Sequence, residues 1–444
     1  MDTEKECVMF KKILMTVSAV VLCVSTGYGL TLEDLQKSAV ANRDIVKRYQ
    51  ADVETRRQQV REVKGNFLPS VDAGYTFNRL DADGLNEYRE NDTAFGTVSW
   101  NVFAGFRDKY NLKVTETLTQ VDELALSALK QDIQLNVALY FLDVYRANAN
   151  LEVAEDAVKL YRDRYRDVRL KYKVGILKKN DVLKIKVELD NAVQNSRRAK
   201  ADLDKRLNDL RRQTGEEVAL GALDFSSFDS LPELDDPVPY ETRMLQCRSE
   251  LNALKKIREA AGYRITASKA DLFPRADLSA TYRNSRYDDY IIGDSDLHED
   301  EVRFQGTLSI NLFDGMKKYA RIRQARLEEQ KASHDLRELE DDLTTRLKNT
   351  LLDVDVAFDN LGVAQSSREE ARENLRVTDL SFKQGLSTST DILDAIFYLS
   401  RARFNVVDAY TRVFSSYFQL RRQVEGFEDY SGSSQAEKSL AAEP

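Results

Sequence analysis

Phe382-Lys-Gln-Gly385-Leu-Ser-Thr-Ser-Thr390-Asp391-Ile-Leu-Asp394 is a glycine-centred turn between two long helical patterns, and Tyr172-Lys-Val-Gly175-Ile-Leu-Lys-Lys-Asn180-Asp181-Val-Leu183 echoes it. Gly175 and Gly385 stand 210 residues apart, as do Asp181 and Asp391. Phe103-Ala-Gly105 recurs at that offset as Phe313-Asp-Gly315, and Phe67-Leu-Pro69 recurs as Leu272-Phe-Pro274, shifted by 205. The chain therefore reads as a tandem duplication, residues 30–214 and 241–426.

Working outward from the glycine turns, Ile133, Val137, Tyr140, Val144, Ala147, Leu151, Ala154, Val158, Tyr161, Tyr165, Val168 and Tyr172 keep an unbroken 4-3-4-3 spacing, the mark of a heptad seam. The equivalent positions of the second unit run from Leu343 to Phe382, and nine of the twelve are apolar. No proline falls between Arg107 and Val174, so this helix extends over some 65 residues, roughly 100 Å at 1.5 Å per residue. Beyond each turn a second seam returns, Ile185, Leu189, Ala192, Leu203 and Leu210 in one unit, Ala395, Leu399, Ala402, Val413 and Leu420 in the other. Its small residues permit close antiparallel packing. The tips of the two helical hairpins lie at about 172–183 and 382–394.

Before each long helix the period changes to two, the strand period. Val71, Ala73, Tyr75 and Phe77 alternate with Asp72, Gly74, Thr76 and Asn78, and Val98, Trp100 and Val102 with Thr97, Ser99 and Asn101. Leu278, Ala280 and Tyr282, then Val302, Phe304, Leu308, Ile310 and Leu312, repeat the pattern. The strands are expected at about 70–80, 93–104, 275–287 and 301–313, with a hairpin loop at 81–92. Ahead of the first hairpin, Thr31 to about Lys64 reads as one helix, capped by Thr31 and ended before Pro69. Residues 215–240, acidic and carrying Pro232, Pro237 and Pro239, read as a connector with at most a short element.

Composition narrows the class. Of the 444 residues 32% are charged and only six are proline, while 42% remain hydrophobic, which suits long solvated helices rather than a disordered chain. Acids outnumber bases, 74 to 66, and the pI is near 5.3, which argues against nucleic acid as a partner. No phosphate-binding glycine loop is present, and the two histidines, His298 and His334, do not adjoin a cysteine, so no cofactor and no metal are expected. Residues 1–29 read as a signal peptide, with Lys11-Lys12 ahead of an apolar core from Ile13 to Val24 too short to be a membrane anchor. Its removal leaves Cys247 as the single cysteine. Residues 427–444 read as a disordered tail.

Four strands with one apolar face make a poor soluble core, but suit lipid on one side and water on the other. Strands in hydrocarbon have to close into a barrel, because unpaired backbone groups find no partner there. One chain is too few, since the smallest barrels have eight strands; two chains supply eight and three supply twelve, wide enough for a lumen. The polar inward faces favour the water-filled option.

The duplicated order of helix, Phe-Leu-Pro or Leu-Phe-Pro, strand pair, Trp100-Asn-Val-Phe-Ala-Gly105 or Ile310-Asn-Leu-Phe-Asp-Gly315, long helix, and glycine tip resembles the TolC family of outer-membrane efflux channels from about residue 30 to 425. The resemblance implies a mainly α protein with a β-barrel part. Three chains would form a homotrimer whose twelve-stranded β-barrel lies in the lipid of the Gram-negative outer membrane and continues as a periplasmic α-helical tunnel. It implies no enzyme activity, and partners in a periplasmic adaptor and an inner-membrane transporter of the RND, ABC or MFS type. The cargo would be small molecules, such as drugs and toxic compounds, or proteins. It also implies adaptor docking at the tips, at Gly175, Asp181, Leu183, Gly385, Asp391 and Leu393, and an acidic constriction at Asp391 and Asp394. Ser387 departs from the basic latch residue found in some members. Against the ring stands a plainer role, since Asp181 and Asp391 start returning helices and can accept backbone N–H bonds. An exported periplasmic coiled-coil scaffold is the alternative, but it leaves the duplicated strand pairs unexplained. An enzyme working through Asp391 and Asp394 lacks a pocket to tune them.

Overall fold

The computed structural model describes residues 29–79, 90–234, 237–288 and 297–427. The expected signal peptide up to residue 28, the tail beyond Phe427, and residues 81–89 of the loop expected at 81–92 lie outside the described residues, while its last three residues belong to the second strand. The helices are α1 (Leu32–Asn42), α2 (Asp44–Gly65), α3 (Arg107–Lys173), α4 (Lys179–Thr214), α5 (Pro237–Cys247), α6 (Ser249–Ser268), α7 (Lys317–Lys383) and α8 (Ser389–Gln423). Strands β1 (Ser70–Arg79) and β2 (Glu90–Ala104) precede α3, and β3 (Arg275–Asp288) and β4 (Leu297–Ser309) precede α7. The duplication is visible in the lengths, because α3 and α7 each have 67 residues and start 210 residues apart. Among the described residues no helix is long and apolar enough to cross a membrane.

Two compact units divide the chain. One takes the described residues up to Arg43 together with Ile133–Leu234 and Val354–Phe418. The other takes Asp44–Asp132, Asp235–Asp353 and the residues from Gln419 onward.

The second of these holds the sheet. Its strands lie in the order β1-β2-β3-β4, every neighbour antiparallel. Register keeps one face apolar across all four strands, since Val71 pairs with Val98, Val98 with Ala280, and Ala280 with Phe304. The next row on the other face is polar: Asp72, Thr97, Thr281 and Arg303. Thr97 and Thr281 bond across the strands at 3.2 Å. The apolar side chains stand in the open, Val71 at 75%, Phe304 at 82% and Leu308 at 76% exposure, so among the described residues no layer covers this face. Phe95 breaks the alternation: it lies in the row of Gly74 and Arg283, and its ring occupies the space a side chain at Gly74 would need. A bulge at Val102 shifts the β2–β3 register between Asn101 and Phe103. β4 ends at Ser309, four residues short of the expected 313, because Ile310 to Phe313 make no further ladder bonds before the Gly315 turn.

The expected single helix from Thr31 to Lys64 is two helices. Arg43 takes an extended conformation (φ −68°, ψ 129°) and ends α1, whose start is fixed by a reciprocal Thr31–Asp34 capping box. The two helices fall in different units, and Arg43 is the boundary between them. α2 buries little beyond Val46 and Val53 and is tied to α3 by Arg56–Asp122 and Arg57–Glu123 ion pairs at 2.9 and 2.8 Å.

In the first unit the seams pack as heptad positions should. Val354, Ala357, Leu361 and Ala364 of α7 are all buried, as are Val137, Val144, Ala147, Ala154 and Val158 of α3. The acidic connector does more than connect. Its short 3-10 turn at Ser226–Phe228 drives Phe228 into a cluster with Phe141, Tyr145, Phe414 and Phe418, and the Tyr410 hydroxyl donates to the Phe228 carbonyl. Leu223 also forms a parallel bridge with Leu30.

In the second unit two buried arginines, Arg248 and Arg422, share one charged cluster. Arg422 bonds Asp132 at 2.6 Å and Glu250, while Arg248 pairs with Glu250 and donates to the Arg422 carbonyl. Glu425 accepts from the N–H and hydroxyl of Ser249 at 2.7 and 2.9 Å, which caps α6. Removing one member leaves buried charge without its partner, which typically costs about 3 to 5 kcal/mol. Arg422→Met is therefore expected to lower the thermal melting temperature markedly, and the exposed Lys200→Met to leave it unchanged.

Candidate functional site

The tips of the two helical hairpins belong to the same unit and pack against each other. Each long helix ends in the same way. Ile176 N–H reaches the Lys171 carbonyl at 2.9 Å and Leu386 N–H the Ser381 carbonyl at 2.8 Å, bonds that close only if the intervening residue is left-handed. Gly175 (φ 82°) and Gly385 (φ 77°) fill that position, where a side chain would be strained. Beneath the turns Val168, Ile185, Leu189, Phe382, Ile392, Leu393 and Ile396 form one buried cluster. Lys171 joins the tips, since its ammonium donates to the Phe382 carbonyl at 3.0 Å and lies 4.2 Å from the Phe382 ring centroid. Arg164 and Asp379 add a partly buried ion pair, and Lys383 meets Asp379 at 2.9 Å.

The carboxylates of the returning helices are capping groups. Asp391 accepts from the Thr388 N–H at 2.7 Å, and the Asp391 N–H donates back to the Thr388 hydroxyl at 3.2 Å. Asp391 is thus the third residue of a capping box rather than the cap itself. Asp181 makes the corresponding bond to the Lys178 N–H at 3.2 Å, without a reciprocal hydroxyl because lysine has no acceptor. The bonds from Thr388 hold the Asp391 carboxyl below its ordinary value.

Asp394 stands apart from this scheme. It is exposed and lines a cleft of about 530 Å³ with Tyr161, Lys184, Glu188, Thr390 and Phe397. Asp391 does not line that cleft. Lys184, the counterpart of Asp394 in the first repeat, enters it and approaches Thr390 at 3.5 Å. Burial, with Glu188 and Asp394 adding negative charge, pushes the Tyr161 hydroxyl up to about 12. Leu393 is only 8% exposed and supports the core, whereas Leu183 is 53% exposed. Reading for charge overlooked the apolar tip residues Val174, Ile176 and Leu386, which are 71%, 69% and 78% exposed. Ser387, noted for having no basic side chain, donates to the Thr378 carbonyl of its own hairpin at 3.3 Å. Among the described residues no group of three metal ligands gathers.

Known proteins match this arrangement along nearly its whole length. Residues 35–216 and 242–424 match the family described as outer membrane efflux protein, one match to each repeat. The outer membrane protein TolC of Vibrio cholerae is 22% identical over 93% of this chain and 95% of its own. The alkaline protease secretion protein AprF of Pseudomonas aeruginosa is 21% identical over 90% of this chain and 85% of its own. Among solved structures, the Campylobacter jejuni CmeC outer membrane channel superposes with a TM-score of 0.77 at 14% identity, covering 95% of this chain and 94% of that one.

Because the Thr388 bonds depress the Asp391 pKa, the cap is complete above the ordinary carboxylate range and is lost as pH falls through the lowered folded value. A carboxyl-carbon NMR titration should place the Asp391 midpoint below that of a model aspartate. In Thr388→Ala, which loses the hydroxyl but keeps the backbone N–H, the midpoint should move part of the way back up.

Proposed function

The chain belongs to the outer membrane efflux protein family, and on that premise we propose that three copies assemble into one export conduit whose tips dock a periplasmic adaptor. It is an outer-membrane efflux channel of a Gram-negative bacterium, with a periplasmic tunnel, and it is not an enzyme. The observation that carries the trimer is the sheet: four antiparallel strands, apolar on one exposed face and polar on the other. Three copies would supply twelve strands and a water-filled lumen lined by the Asp72, Thr97, Thr281 and Arg303 face. An exported scaffold would have no use for such a surface.

The tips support the docking half of the reading. Val174, Ile176 and Leu386 project apolar surface from the glycine turns and Leu183 from the start of α4, the kind of anchor a helical partner buries. The partner is a periplasmic adaptor that joins the channel to an inner-membrane transporter of the RND, ABC or MFS type. Cargo is then chosen mainly by that transporter, and ranges from small toxic compounds to proteins; AprF, by its name, serves secretion of a protease. The acidic constriction rests on Asp394 more than Asp391, because Asp391 is already engaged by Thr388 while Asp394 is exposed in its cleft. Three copies would bring several carboxylates to one narrow opening and draw cations there.

Two tests follow from the faces and the tips. Phe304→Arg puts charge in the middle of the lipid face at a cost of about 2 to 4 kcal/mol per copy near the bilayer midplane, and should abolish the trimer in detergent cross-linking. Thr307→Arg on the opposite face should leave the trimer intact, and equal damage from both would refute the assignment of faces. In planar bilayers Asp394→Asn should lower cation selectivity, with a smaller effect from Asp391→Asn. Unchanged selectivity in the Asp394 variant removes it from the constriction.

A further inference from the structure

Where the sheet meets the long helices of its unit, a cleft of about 410 Å³ is lined by five cations, Arg107, Arg275, Lys317, Lys318 and Arg321, against two carboxylates, Asp271 and Asp314. Lys317 and Lys318 open α7, whose first turn carries no acid, although the positive end of a helix dipole favours anions and repels cations. Lys318 is buried at 6% exposure, its ammonium donating to the Asn311 carbonyl at 2.7 Å and its N–H to Asp314 at 3.0 Å. Asp271 does not neutralise one partner fully, because it is shared: it accepts from Arg107 and, at 2.7 Å, from Arg321, and so holds both guanidiniums at the cleft. Arg275 leans on Asp277 at 2.9 Å.

We propose that this cleft binds a phosphate-type oxyanion presented from the aqueous side. Two guanidiniums offer paired N–H donors that match a tetrahedral oxyanion and the lysines add point charge, while the Lys318 N–H at the start of α7 is already taken by Asp314. The side follows from register. Arg275 and Ser309 pair with each other and keep step with Asp277 and Thr307 on the polar face, while Leu308 points the other way. That this face lines a lumen rests on the channel reading above; the anion site itself does not. Within a lumen the ligand is a phosphate-bearing solute in transit, held at the base of the barrel in each of three copies.

The test is phosphate binding by the full chain purified in a neutral detergent, read as broadening of the ³¹P resonance of inorganic phosphate. The wild type and the exposed control Lys200→Gln should bind alike, and Lys317→Gln with Arg321→Gln should weaken binding about tenfold or more, as loss of two charge-assisted contacts requires. Trimer cross-linking and circular dichroism on the same samples confirm that the variant is folded. No broadening in the wild type, or equal broadening in the variant, overturns the site. A second arm offers phosphatidylglycerol in nanodiscs and detects retained lipid by native mass spectrometry. Lipid retention that depends on Lys317 and Arg321, without binding of inorganic phosphate, overturns the aqueous side. Binding is read on the isolated protein, so a failure of the channel reading leaves the phosphate result standing.

Discussion

A backbone N–H or carbonyl in hydrocarbon has no water to bond, and that constraint decides what a four-stranded sheet with a naked apolar face can be. β1 and β4 are the two edges of the sheet, and each leaves one side of its ladder without a partner among the described residues. In water such edges invite aggregation; in a bilayer they have to be paired. On the proposed reading, copies of the same sheet would satisfy both requirements at once, with β4 of one beside β1 of the next and the polar rows turned inward. Closure of the sheet across copies within a membrane is then what one set of unmet hydrogen bonds would require.

The rest of each repeat serves the same end. A strand pair feeds its long helix through a tight reversal in which two successive residues are left-handed, Gly105 with Phe106 and Gly315 with Met316. At Gly105 the reversal brings the chain so close to Ala270 that a side chain would strike its carbonyl. At the far end of α3 and α7 the glycine tips turn the chain back along a seam of small residues. Duplication has kept this framework while changing the details: Lys184 stands where the second repeat has Asp394, and Lys178 where it has Thr388. The two hairpins thus share a backbone and differ in the charge they present.

Features governed by local chemistry were legible in the sequence. The positive-φ glycines, the change from period two to the heptad, and the apolar face of Leu278, Ala280, Val302 and Phe304 each follow from a pattern that one element imposes alone. Features set by distant partners were not. Nothing near Arg43 in the sequence breaks a helix, yet α1 ends there and α2 belongs to the other unit. Phe225 and Phe228 lie in the acidic connector, and the partners they pack against, Phe141 and Phe414, are far away in sequence. Phe95 was passed over because the cue was its pairing with Gly74 on another strand. At the tips the duplicated spacing located Asp391 as a helix-start residue, but only the Thr388 bonds show that it is committed to the cap, and only packing shows that Leu393 faces inward.

The chain carries one tryptophan, and Trp100 stands on the apolar face beside Leu278, its indole N–H bonded to the Phe67 carbonyl at 3.0 Å. It is a native reporter for whether that face meets lipid. With the protein reconstituted in vesicles containing phosphatidylcholine brominated high on the acyl chain, strong quenching of Trp100 emission and weak quenching by aqueous iodide are the predicted result. Emission that ignores the brominated lipid and yields to iodide would contradict the account, because the apolar face would then be standing in water.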